Sequence, residues 1–278
     1  MNKFGMAVCV LVGGVSCHAA PLVLGYGTDA FAVGEKLYET DFGDSAEWVV
    51  QVEKKGEPNA ERIAFGAGML DLYMPARGCT AWLKKKFSGP IAIVYQVQCP
   101  LETIDGDAIQ ARDINNFWHC AHPGDAEKLF DGELYHGGFG SYSKMQGYYA
   151  STGGGGHEGN HTTRFRRYPR ELENGDRYPH IALNSRDEDP NYLITPGAWH
   201  TVQLVACNGL AQYIVDGKVV YQIKEGDMVE VEMPDKSRVE KNYAFDEFPA
   251  YTEGYFGFRL VRTHHRYKNL KVYRLEPK

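Results

Sequence analysis

The sequence predicts an all-β protein, with two antiparallel sheets packed face to face as a β-sandwich. Three observations predict it. Apolar and aromatic residues recur in runs of strand length broken by glycine and proline. The 278 residues include 18 tyrosines, 13 phenylalanines and 31 glycines, a composition suited to pleated surfaces joined by turns. Asp216-Gly217 separates the apolar runs 210–215 and 218–223, and Asp-Gly between such runs is a strong two-residue hairpin signal. At 43% hydrophobic and 24% charged the chain can bury a full core. β-sandwiches of this length form one domain, so residues 20–278 read as a single unit.

Residues 1–19 read as a signal peptide. Lys3 supplies a positive charge, residues 4–15 are apolar, and Ser16-Cys17-His18-Ala19-Ala20 offers small residues for cleavage. Removal after Ala19 predicts a periplasmic or extracellular product. The alternative of acylation at Cys17 meets Gly14 where a leucine-like residue is usual. The apolar run is too short to cross a bilayer, and no second one follows, so no membrane span is expected. Outside this segment stand Cys79, Cys99, Cys120 and Cys207. Their wide spacing fits no zinc signature, and they stand equally as buried thiols or as disulfides with three open pairings.

The elements follow in order. Residues 37–42 and 48–53 read as strands, and 62–65 with 69–73 as a hairpin across Gly66-Ala67-Gly68. Residues 80–87 and 91–98 continue the pattern, with Ile91, Ile93, Tyr95 and Val97 alternating against Ala92, Val94, Gln96 and Gln98. Residues 123–143 and 178–191 read as loops. In the second, Asp187-Glu188-Asp189 lacks the ligand spacing of a calcium loop, so no metal and no other cofactor is expected. Residues 199–206 form a strand leading into the 210–223 hairpin. Residues 224–253, with nine Asp/Glu against four Lys/Arg, read as an acidic loop or lid. Residues 254–260 bury Phe256, Phe258 and Leu260, and 269–275 close the sheet with Leu270, Val272 and Tyr273.

Two stretches carry the chemistry. Residues 147–170 run from Tyr148-Tyr149 through four glycines, past His157, Asn160 and His161, into Thr162-Thr163-Arg164-Phe165-Arg166-Arg167-Tyr168. On a strand, side chains alternate faces, so Thr162, Arg164, Arg166 and Tyr168 share one side and Thr163, Phe165 and Arg167 the other. Two guanidiniums and a phenol on one face do not make an ordinary core. That face is solvated or holds an anion, and arginine grips carboxylates in a bidentate fork. The stretch 105–120, DGDAIQARDINNFWHC, places Gln110, Arg112, Ile114, Asn116 and Trp118 on one side and Asp113, Asn115, Phe117 and His119 on the other. The stretch is either a strand end with capping Asp and Asn and a buried tryptophan, or a polar, aromatic platform of the kind that takes a sugar. The formal net charge of −6 argues against nucleic-acid partners, whereas five Lys/Arg against one acid over 144–170 make a local basic patch suited to an acidic oligo- or polysaccharide.

The C-terminal order WHTVQL, VDG, GYFGFR and NLKVYRL resembles the concanavalin A-like lectin/glucanase superfamily of jelly rolls. With TTRFRRY at 162–168, the chain is similar to its YesU-like group. That resemblance implies a place in bacterial pectin and uronate-polysaccharide utilisation. The E-x-D-x-E strand of the superfamily's retaining glucanases is absent, which argues against that hydrolysis. Jelly-roll lyases of the alginate type work instead with arginine, glutamine, histidine and tyrosine. The leading expectation is therefore a polysaccharide lyase acting on a uronate glycan by β-elimination. Arg164 and Arg166, with Asn116 or Gln110, neutralise the carboxylate, His119 or His161 is the base, and Tyr149 or Tyr168 the acid. Arg112, Trp118, Tyr148 and Asn160 complete the binding set. The alternatives are a hydrolase using Asp113 and Glu253, an enzyme cleaving a 3-keto-glycoside with a histidine base, and a lectin-like binder without catalysis.

Overall fold

A computed structural model describes residues 31–55, 61–101, 103–104, 107–108, 110–155, 159–184 and 193–278. The signal-peptide segment, His157 and the Asp187-Glu188-Asp189 run lie outside the described residues. The N-terminal strands are β1 (Phe31–Thr40), β2 (Trp48–Val52), β3 (Arg62–Gly66), β4 (Met69–Ser88) and β5 (Ile91–Gln98). Two short strands, β6 (Thr103–Ile104) and β7 (Asp107–Ala108), pair with each other. The central strands are β8 (Ile114–Ala121), β9 (Gln146–Gly154), β10 (Thr162–Tyr168) and β11 (His180–Asn184). The rest are β12 (Trp199–Cys207), β13 (Leu210–Val215), β14 (Lys218–Ile223), β15 (Met228–Glu232), β16 (Arg238–Asn242) and β17 (Glu253–Pro277). The pairing is antiparallel throughout, as the sequence predicts.

The spine is β17, 25 residues long. Its first part pairs with the second half of β4 on one side and with β8 on the other. Its second part pairs with β5, and with the first half of β4 and then β1. The register slips between Val261 and Thr263, where Arg262 takes a left-handed φ of 51°. There β17 passes from a front sheet, β2-β4-β17-β8-β9-β10-β11-β15-β16, to a back sheet that continues through β5-β12-β13-β14.

Alternation on each strand decides what lies between the sheets. Phe256, Phe258 and Leu260 point inward, as expected, to join Tyr95, Trp118, Tyr148, Phe165 and Tyr213. Trp48 stacks on Phe258 at 5.7 Å, and Phe258 on Tyr267 at 4.0 Å. Burying each such ring is worth about 1.5–3 kcal/mol. Several polar atoms trapped between the sheets are paired across the gap, although Trp48 Nε1, Trp118 Nε1 and the Tyr243 hydroxyl find no partner among the described residues. The Tyr213 hydroxyl reaches Thr152 at 2.9 Å, Thr163 meets Tyr221 at 2.9 Å, and Tyr95 donates to Asn116. All four described cysteines are buried free thiols, which decides between the two readings left open by their spacing.

Three loop expectations need correction. Residues 224–253 are not only a lid. They contain β15 and β16, and Val229, Val231, Tyr243 and Phe248 are buried against the core. The period-2 pattern Val229-Val231 was short and masked by its acidic neighbours. Residues 123–143 carry two 3-10 turns, Ala126–Phe130 and Phe139–Lys144. They fold over the front sheet and pack Leu129, Tyr135 and Tyr142 on Trp82, Phe117 and Tyr149. Gln51 anchors this cover. Its amide donates to the Leu129 carbonyl at 2.9 Å and its oxygen accepts from Trp82 Nε1 and the Tyr142 hydroxyl. Strand β11 likewise lies within the 178–191 stretch read as loop.

Candidate functional site

The outer face of the front sheet is covered at one end by the 123–143 insert and open beside it. Adjacent to the cover is a cavity of about 270 Å³ lined by Glu53, Arg112, Asp113, Asn115, Phe139, Tyr149, Gly155, Arg164, Arg259 and Val261. The strands deliver these side chains by alternation. With Phe165 inward, Arg164 and Arg166 must face out, and Ser151 and Tyr149 of β9 stand directly opposite them. With Phe258 and Leu260 inward, Arg259 faces out, opposite Asn115 of β8.

Arg259 is 3% exposed, with its guanidinium 4.8 Å from the Phe139 ring and a long contact of 3.4 Å to the Gly137 carbonyl. Its Nε finds no partner among the described residues. The Arg166 guanidinium lies 5.9 Å from the same ring, and its Nε is equally unpartnered. Arg112 donates from Nε to Asp113 at 2.9 Å. Burial pushes the Asp113 carboxyl up, against the pull of Arg112 and then of Arg259 and Arg164. The cavity therefore gathers three guanidiniums around one carboxylate, with Glu53 as the second acid on its wall. A buried cation as poorly answered as Arg259 carries a desolvation cost, and an incoming anion would answer it with charge-assisted hydrogen bonds. The Tyr149 hydroxyl donates to Asn115 Oδ1 at 2.9 Å, and burial raises its pKa, which keeps the phenol protonated.

The site residues read from the sequence divide. Arg112, Tyr149 and Arg164 meet at the cavity, and Gln110 stands behind Arg112, accepting from its guanidinium at 3.4 Å. Arg166 and Tyr168 share the outer face but sit farther along β10 and beside the cover. His161 packs behind Gly155 at the rim, where a Cβ on residue 155 would come within 2.9 Å of it.

The others are corrected by the fold. Trp118, Tyr148 and Asn116 lie between the sheets, because the 114–118 alternation turns Asn115 and Phe117 outward instead. The left-handed Asp113, φ 58°, interrupts the alternation, so Arg112 reaches the cavity while Asn116 does not. His119 is buried with Nδ1 at 2.9 Å from the Tyr251 carbonyl, and burial lowers its pKa to about 4. It takes no part in the cavity wall. Asn160 holds the Ile194 backbone through two bonds of 2.9 Å, so its amide is spent on the loop. Glu253 pairs with Lys86 at 2.6 Å on the surface, which removes it as a partner for Asp113.

Sequence reasoning missed Arg259, Glu53 and Phe139. Arg259 was detectable, since it alternates with the core residues Phe256, Phe258 and Leu260. Glu53, just past the end of β2, and Phe139, in the insert, had no periodic signal. Among the described residues no group of three His, Cys, Asp or Glu side chains gathers as a metal site would, and no helix is long and apolar enough to cross a membrane.

A family described as a domain of unknown function (DUF6250) matches residues 74–232. This chain belongs to DUF6250. The DUF6250 match enters within β4 and ends with β15, so it contains Arg112, Asp113, Asn115, Tyr149 and Arg164 but neither Glu53 nor Arg259. A comparison with curated proteins finds no match. Among solved structures, this DUF6250 chain is similar to a protein of unknown function with galectin-like fold from Bacillus subtilis. The identity is 14%, covering 89% of this chain and 100% of the other, with a TM-score of 0.58. It is also similar to LamA from Z. galactanivorans in complex with laminaritriose and laminaritetraose. There the identity is 10%, covering 87% and 100% of the two chains, with a TM-score of 0.52. These likenesses establish the galectin-like, concanavalin-like jelly roll for the DUF6250 chain.

Proposed function

We propose that this protein is an exported carbohydrate-active protein that binds a uronate-containing glycan in the front-sheet cavity and cleaves it by β-elimination. The observation that carries the reading is the convergence of Arg164, Arg259 and Arg112 with the Tyr149–Asn115 pair around one 270 Å³ cavity. Binding of laminarin oligosaccharides by a protein of similar fold supports a glycan as the ligand, and the YesU-like pattern supports a pectic one.

The chemistry follows from the donors present. Arg164 and Arg259 take the uronate carboxylate in charge-assisted bonds, which spreads the negative charge that develops when the proton on C5 leaves. Glu53, whose Oε2 accepts from the Gly78 amide at 3.1 Å, is the cavity carboxylate not held by Arg112 and serves as base. The electron pair of the C5–H bond forms the C4–C5 double bond, and the C4–O bond breaks. The leaving oxygen takes its proton from the Tyr149 phenol, which burial keeps neutral.

Purified protein incubated with uronate polymers is expected to raise the ultraviolet absorbance of unsaturated uronates, and Tyr149→Phe to abolish the rise. Absence of both binding and absorbance overturns the proposal. A second reading, lectin-like binding without cleavage, is favoured by one observation: neither His119 nor His161 lines the cavity. Tight binding with no absorbance and no new reducing ends selects it.

A further inference from the structure

Along the same outer face, beyond the cavity, lies a second group of donors that the elimination chemistry does not use. On β10 and β11 the register pairs Arg166 with Ala182 and runs antiparallel, which brings Tyr168 and His180 to the same end of the face as Arg166. On the β11 side the neighbour of Arg166 is the small Ala182, which offers its guanidinium nothing, while Tyr149 flanks it on the β9 side. Tyr168 is fully buried, His180 is 2% exposed and Arg166 is 9% exposed. All three carry a buried polar atom with no partner among the described residues: the Tyr168 hydroxyl, His180 Nε2 and Arg166 Nε. Arg170 adds a fourth such atom at its Nε. Each unanswered buried polar group costs about 1–3 kcal/mol, and these four of the fourteen found among the described residues fall on β10, β11 and the turn after β10. Burial first and then Arg170 work against charge on His180, Glu232 opposes them, and Arg166 adds a smaller push in the direction of Arg170. Glu232 itself is engaged by Arg177 at 2.8 Å.

We infer that Arg166, Tyr168, Arg170 and His180 form a second anion site, which takes the acidic group of the sugar next to the one held in the cavity. This rests on the uronate reading of the cavity and deepens it. The substrate is then a run of consecutive acidic sugars rather than an isolated uronate in a neutral chain. Same-face residues on a strand repeat about every 6.6 Å, so Arg164 and Arg166 are set to meet acidic groups on successive sugars of one extended chain.

The test compares galacturonate with trigalacturonate by titration calorimetry on the full chain, for the unaltered protein and for His180→Ala and Arg170→Ala. The unaltered protein is expected to bind the trimer at least 30-fold more tightly than the monomer. Each variant should cut that ratio about tenfold, with an unchanged circular-dichroism spectrum and melting profile confirming the fold. Arg170→Ala keeps the test decisive should His180→Ala melt early. Monomer binding with no trimer advantage, or a ratio untouched by either variant, overturns the second site and leaves the cavity reading standing. Binding of neither sugar overturns the cavity reading, and the second site with it.

Discussion

Asp71 and Asp113 are both partly or fully buried aspartates set among arginines, yet they belong to opposite kinds of cluster. On the back sheet Asp71 accepts from Arg62 at 3.0 Å, Arg266 at 3.1 Å and His264 at 3.0 Å. Burial pushes its carboxyl up, but His264 and the two arginines outweigh that and hold it well below the usual carboxylate range. At the front cavity Asp113 is bonded by Arg112 alone, burial wins, and its pKa is raised although Arg259 and Arg164 stand near. One cluster is closed, with the carboxylate saturated by its cations. The other is open, with cations in surplus. A closed cluster stabilises a fold, and an open one waits for a ligand.

The sharpest break in this comparison comes from β10, where structure and site alternate residue by residue. Phe165→Ala removes a ring packed on Trp118, Tyr148 and Tyr221 and should cost about 3–5 kcal/mol of stability, read as a shifted urea midpoint. Arg164→Ala, its neighbour, should change stability by less than about 1 kcal/mol. It should cost about 3–4 kcal/mol of transition-state binding, two to three decades in kcat/KM on a uronate polymer. Full activity in Arg164→Ala would show the open cluster to be surface decoration.

That alternation was legible in advance because a strand's period is fixed by its geometry. What the sequence could not show is which side faces inward, since that depends on the partner sheet. The 114–118 strand offers an asparagine and an aromatic ring on both faces, Asn116 with Trp118 and Asn115 with Phe117. Only the packing of Trp118 and Asn116 between the sheets decides that Asn115 and Phe117 turn outward. For 162–168 the faces differ in kind, Arg164 and Arg166 against Phe165, so the inward side is readable from the sequence alone. Arg259 and Glu53 reach the cavity from strands far apart in sequence, and only the β4-β17-β8 pairing brings them there.

Asp71→Asn tests the closed cluster, with an expected loss of about 2–3 kcal/mol at neutral pH and no effect on glycan affinity. The folded pKa of Asp71 is depressed, so its contribution is present above the unfolded carboxylate value and lost as pH falls towards the folded one. The variant should therefore lose part of the protein's acid-induced unfolding, and an unaltered acid limb would contradict the assignment.

His119 gives a pH-dependent effect of opposite origin. With a folded pKa of about 4 against about 6.5 in the unfolded chain, the unfolded state takes up a proton first as pH drops. Stability is complete above that unfolded value and falls between about pH 6.5 and 4, by up to about 3 kcal/mol from this group. His119→Asn, which tolerates the left-handed φ of 49°, should flatten that slope in urea titrations at pH 7 and 4.5. An equal slope would place the proton elsewhere.

The smallest effect is expected at Asp113. A raised carboxylate pKa means that its stabilising contribution is present below the unfolded value and lost as pH rises through the folded one. Asp113→Asn should thus be within about 1 kcal/mol of neutral at pH 7, in contrast to Asp71→Asn, while tightening uronate binding by removing the cavity's competing anion. Equal destabilisation by the two substitutions would erase the distinction between the clusters.

The long strand β17 carries a consequence for the order of assembly. It pairs with β1, β4, β5 and β8, so none of these obtains its full set of neighbours until residues 253–277 have been synthesised. The polypeptide must hold its earlier strands unpaired along one edge, and closing such distant segments is slow. Arg259, the cavity cation contributed by β17, arrives in the same event that joins the two sheets. Ligand-binding competence should therefore emerge together with global folding, with no binding-active intermediate preceding it.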